Sequence, residues 1–122
     1  MKLAACILAL LLLSACGRVT AAQKGAGLTG GDPARGRTKI QYYGCPSCHV
    51  IPGIPGADGM VGPPLARVAS RVYIGGVLTN TPDNMVRWIQ NPKAIDQLTA
   101  MPNMGVTASD ARDIAGYLYT LQ

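Results

Sequence analysis

Phenylalanine is absent from the chain, and tryptophan and histidine occur once each. With so few large aromatics, an unaided core would be thin for one small domain, and a bound apolar body would relieve the shortage. The single His, His49, excludes any site that takes two imidazoles from one copy of the chain. Basic residues outnumber acidic ones by five, but they form no run and no row of aromatics accompanies them. That excludes a nucleic-acid surface of the ordinary kind. After residue 16 only two Cys and one His remain, too few for a closed four-ligand zinc site. No strand pattern and no repeat rises above the background. The expected fold class is all-α, a small helical domain with long loops.

What is present centres on Cys45-Pro46-Ser47-Cys48-His49. Cys-x-x-Cys-His reads as a covalent haem attachment site. Two thiols at this spacing can each add to a vinyl group of one porphyrin, and the adjacent His can ligate the iron from one face. A thioredoxin-like dithiol also uses Cys-Pro-x-Cys, but it sits in a βαβ setting that is missing around Cys45. A plain Cys45–Cys48 disulfide leaves His49 without a reason. The expected cofactor is therefore one covalent haem c, held by Cys45 and Cys48 with His49 on the iron.

The N-terminus reads as a targeting segment. Lys2 supplies the positive start, and Leu3 to Leu13 is an apolar run too short to span a bilayer comfortably. Leu13-Ser14-Ala15-Cys16 resembles a bacterial lipobox, which implies cleavage before Cys16 and lipidation of its thiol. An ordinary signal peptide would leave Cys16 as a stray exposed thiol. Residues 1–15 are then the leader. The cysteines are all accounted for: Cys6 leaves with the leader, Cys16 is lipidated, and Cys45 and Cys48 take the haem. The location implied is the periplasmic side of a bacterial membrane. Gly17 favours the outer membrane, because an Asp there would resemble the inner-membrane retention signal.

Residues 16–31 are small and polar without periodicity and read as a flexible, lipid-anchored linker. Fifteen such residues span roughly 20 Å on average. Residues 32–122 form the expected domain. Asp32-Pro33 starts a helix that ends at Gly44, with Gly36 and Ile40 on one face. Val50 to Gly62 is Pro/Gly-rich loop, expected to cover a haem edge with short apolar side chains. Thr81-Pro82-Asp83 starts a second helix that shares Met85, Trp88 and Ile89 on one face and stops at Asn91-Pro92. Thr107 to Asp110 opens a last helix carrying Ile114, Tyr117, Leu118 and Leu121. Of Arg67 and Arg71, one is expected to pair with a haem propionate.

A second axial ligand must come from a Met, a Lys or an open position. Met60 lies eleven residues beyond His49, too close to cross to the other haem face, and Met85 belongs to a helix face. Met101 and Met104 lie between two helices with enough chain to reach round the haem.

These motifs together resemble a class I, monohaem cytochrome c over most of residues 32–122. In that family the helix before the ligand loop commonly ends Asn-Pro, and the ligand Met can follow nine residues after the Pro. Asn91-Pro92 with Met101 matches, as do Thr99 and the pair Met101-Pro102. The resemblance implies that the carbonyl of Pro63, in Gly62-Pro63-x-Leu65, accepts the ring N–H of His49. It implies that Arg71 lies near a propionate and that Trp88 packs beside the haem. It also implies a contact of Gly36 and Ile40 with Ile114 and Tyr117 between terminal helices. The spacing from Gly36 to Cys45 is one residue longer than in many members, and Gln97 stands where Pro is common.

A His/Met iron has no vacant position for substrate, and the soft thioether favours Fe(II). The expected function is one-electron carriage in a respiratory chain, with no catalytic residues. The donor would be a membrane complex or dehydrogenase and the acceptor a terminal oxidase. Two alternatives stand beside it: a permanently docked subunit of a larger respiratory complex, and a haem enzyme or ligand sensor with an open iron.

Overall fold

The computed structural model describes residues 17–122. The leader and the lipidation expected at Cys16 lie outside the described residues. The elements run α1 (Ala21–Thr29), α2 (Pro33–Tyr42), β1 (Tyr73–Ile74), β2 (Leu78–Thr79), α3 (Pro82–Gln90), α4 (Pro92–Ile95) and α5 (Ala108–Leu118). Single 3-10 turns cover Cys45–Ser47 and Val68–Ser70. Among the described residues no helix is long and apolar enough to cross a membrane.

Each longer helix begins where a side chain can take its free N–H groups. The Asp32 carboxylate accepts from Ala34 N at 2.8 Å, Thr81 Oγ1 from Asn84 N at 3.3 Å, and Thr107 Oγ1 from Asp110 N at 3.1 Å. Pro occupies the first turn of α2, α3 and α4, where its missing donor costs nothing. The expected face of α3 is buried: Met85, Trp88 and Ile89 are all in the core.

The closest helix contact pairs α2 with α5. A methyl group built on Gly36 would lie 1.9 Å from the carbonyl oxygen of Asp113, so the two backbones meet there with no room for a side chain. Ile40, Ala111 and Ile114 fill the seam beside it. An ion pair closes its edge. Asp113, almost fully buried, accepts from Arg35 Nε at 2.8 Å and Nη2 at 3.0 Å, and from Asp32 N at 2.7 Å. The Arg35 guanidinium holds the Asp113 carboxyl below the ordinary carboxylate range against the opposing effect of burial.

One expectation is corrected. It is the flexible linker, because α1 lies inside 16–31. Thr20 Oγ1 accepts from Gln23 N at 3.2 Å while Gln23 Oε1 accepts from Thr20 N at 2.8 Å, a reciprocal capping box. The helix packs on α5 through Gly25, whose added methyl would sit 2.2 Å from Gly116 O. A helix that buries glycine rather than a large apolar side chain carries no hydrophobic period to read. A small hairpin joins the expected helices: β1 and β2 pair antiparallel as Tyr73 with Thr79 and Ile74 with Leu78. Gly75 and Gly76, at φ +57° and +76°, make the turn, and Gly75 lies against the indole of Trp88.

Candidate functional site

Gly44 ends α2 in the left-handed region, at φ +74°, and turns the chain into Cys45–Ser47. That turn is closed by Cys48 N and His49 N, which both donate to Cys45 O at 3.2 and 3.1 Å. The following loop folds back on the pentapeptide. Gly59 N donates to Pro46 O at 3.2 Å, Gly62 N to Cys48 O at 2.8 Å, and Leu65 N to Val50 O at 2.8 Å. Ile51, Ile54 and Ala57 enter the core. These three anchor the loop on the core.

The imidazole of His49 is held on two sides. Its Nδ1 lies 2.7 Å from Pro63 O. Donation to that carbonyl puts the proton on Nδ1 and leaves the Nε2 lone pair for a metal. Gly62 lies against the ring: a methyl group built there would fall 2.3 Å from Cε1 and 2.7 Å from Nδ1. This role of Gly62 was missed at the sequence level, although the position just before Pro63 was its signal.

Cys45 and Cys48 are both free thiols, each half-buried. Burial pushes the Cys45 thiol up. Disulfide exchange favours a low-pKa thiolate, so this environment is unlike that of a reactive dithiol.

Arg71 sits on the same loop. Its Nη2 donates to Pro64 O and, at 3.1 Å, to Ala66 O, one and three residues beyond the carbonyl that meets His49. Arg71 thus clamps the Pro63 segment, whereas a propionate contact was expected of it; Nη1 and Nε keep further donors. Trp88 is buried between α3 and the hairpin tip.

Met101 is half-buried and packs against the core in the extended segment before α5. Its N–H donates to Thr99 Oγ1 at 3.2 Å, and Thr99 O accepts from Lys93 Nζ. Met104 is more exposed, with its methyl over Gly44. Met60 is almost wholly in solvent and Met85 almost wholly out of it.

These residues fit a haem. The donor set comprises two unpaired thiols, an imidazole with Nε2 spare and a thioether. Large apolar side chains also stand exposed on the flanking segments: Met60 and Val61 just before Gly62, and Leu98 and Met104 around Met101. Among the described residues no three His, Cys, Asp or Glu side chains gather into a metal site.

No family model matches the chain, and no solved structure matches it. It is similar to cytochrome c oxidase subunit 2 of Alkalihalophilus pseudofirmus (strain ATCC BAA-2126 / JCM 17055 / OF4), 28% identical over 89 residues that cover 72% of this chain. The match takes in 25% of the length of that subunit.

Proposed function

We propose that the chain is a one-electron carrier of a bacterial respiratory chain, built on a single covalent haem c. The observation that carries this reading is the 2.7 Å contact of His49 Nδ1 with Pro63 O, directly after two free thiols at Cys45 and Cys48. A haem held there supplies a reversible Fe(III)/Fe(II) couple whose potential a thioether ligand raises. Cys45 and Cys48 hold it covalently and His49 presents Nε2. Met101 would supply a thioether as a second ligand to the iron, which suits electron transfer better than substrate binding. Pro63 fixes the imidazole, Arg71 braces the segment just after Pro63, Thr99 braces Met101, and Trp88 would pack beside the haem. The likeness to an oxidase subunit supports a respiratory electron-transfer role.

Cys16 carries the lipid that holds the domain on the periplasmic side of a membrane, near a donor complex and a terminal oxidase. Tethering raises effective concentration, so a weak and short-lived contact suffices. The absorption spectrum of oxidised and reduced protein, with and without carbon monoxide, tests the site. We expect haem that acid acetone does not extract and a reduced spectrum that carbon monoxide leaves unchanged. Extractable haem would sink the covalent reading; a carbon monoxide-shifted spectrum at neutral pH would replace the carrier with an open-site enzyme or sensor.

The similarity to a subunit of a larger complex favours one second reading, a permanently docked cytochrome module. That reading expects co-purification with integral-membrane subunits after detergent extraction, and a free carrier does not.

A further inference from the structure

We propose that the outer stripe of α1 lies on a lipid surface and fixes the orientation of the domain on its membrane. The proposal rests on the lipidated Cys16 of the preceding section. Because α1 begins at Ala21, only residues 17–20 separate that Cys from the folded body. Fully extended, the five steps from Cys16 to Ala21 reach about 17 Å. Thr20 is further committed to the cap of α1, which shortens the free reach. The N-terminal end of α1 therefore stays within about 17 Å of the acylated residue.

The side chains there suit that neighbour. Gly25 and Thr29 face α5, and Lys24 and Leu28, four apart, share a stripe on the outer side. Val19 and Leu28 are exposed large apolar residues, and Arg18 and Lys24 are exposed cations. From residue 17 to residue 31 there is no acidic side chain. Two cations, two apolar side chains and no anion next to an acyl anchor match an anionic phospholipid surface, to which basic residues near the membrane are drawn. A protein partner of respiratory type remains free to approach the body from other sides.

The test uses the acylated, haem-loaded protein in vesicles of phosphatidylethanolamine and phosphatidylglycerol. With Cys45 and Cys48 in thioethers and Cys16 acylated, Leu28→Cys offers one free thiol for a nitroxide. A nickel chelate carried on lipid headgroups should relax that nitroxide strongly. Inserting fifteen Gly/Ser residues after Gly17 should weaken the effect several-fold, and Arg18→Glu with Lys24→Glu should weaken it at least twofold. Intact mass is read on the same sample. An acylated protein whose relaxation ignores both changes overturns the surface and leaves the anchor standing. An unacylated Cys16 overturns both. A label immobilised only at high protein-to-lipid ratio assigns the stripe to a second copy of the chain and overturns the lipid assignment.

Discussion

The imidazole of His49 and the backbone of Gly62 touch so closely that a methyl group on Gly62 would lie 2.3 Å from Cε1 and 2.9 Å from Nε2. The ring cannot retreat without leaving Pro63 O. Gly62→Ala should therefore cost about 1–3 kcal/mol of overpacking and loosen the His49 imidazole from Pro63 O. Melting followed at a haem band checks the first, and the low-spin signature of the oxidised protein checks the second. A variant with unchanged melting and spectrum would contradict the contact.

Met101 and Met104 differ in burial as well as in spacing. Met101 is packed on the core through a segment braced by Thr99 and Lys93, and Met104 stands more exposed near Gly44. Met101→Ala should abolish the thioether-to-iron charge-transfer band and open the reduced iron to carbon monoxide; Met104→Ala should keep both features. The opposite pattern makes Met104 the ligand.

Two helical glycines should respond with opposite signs. Gly36→Ala drives a methyl into the backbone of Asp113, at 1.9 Å from its oxygen, and must part α2 from α5. The loss should reach or exceed the upper end of about 1–3 kcal/mol. Gly27 has nothing within 4 Å of the same position, so Gly27→Ala gains helix propensity, up to about 1 kcal/mol. Denaturant unfolding of both variants settles the signs.

Asp113 also predicts a pH dependence. Its carboxyl is held low by Arg35, so its contribution is complete above the unfolded value of about 3.9 and is lost as pH falls through the lower folded value. Asp113→Asn should cost about 1–3 kcal/mol at neutral pH and flatten the fall in melting temperature below pH 4. Some slope should remain, because hydrogen bonding to Tyr43 and then Lys39 also lowers Asp110. Equal destabilisation at pH 2.5 and pH 7 would argue against the assigned pair.

Where a helix has a polar cap and large apolar residues at its own period, its chain pattern is legible. Asp32-Pro33, Thr81-Pro82 and Thr107 mark the starts of α2, α3 and α5 within a residue. The hairpin is hidden because each strand has only two residues, too few for alternation; Gly75-Gly76 between Tyr73-Ile74 and Leu78-Thr79 is its only local signal. α1 is hidden because its contact is made by Gly25, although Thr20-x-x-Gln23 spells its cap. At the site, residue types and spacing give Cys45, Cys48 and His49. The packing of Gly62 on the ring and the grip of Arg71 on the Pro64 and Ala66 carbonyls arise only when the loop folds back, so no local pattern encodes them.

The seam between Gly36 and Asp113 has a temporal consequence. Its two sides are 77 residues apart in the chain, so everything from α2 to α5 must exist before the seam can close. Loop-closure entropy opposes such distant pairings until other contacts reward them, and folds built on them form slowly. A chain still emerging from the ribosome lacks α5, and α1 and α2 then have no surface to dock on. Until α5 has been made, the seam stays open and the glycine faces of α1 and α2 stay bare.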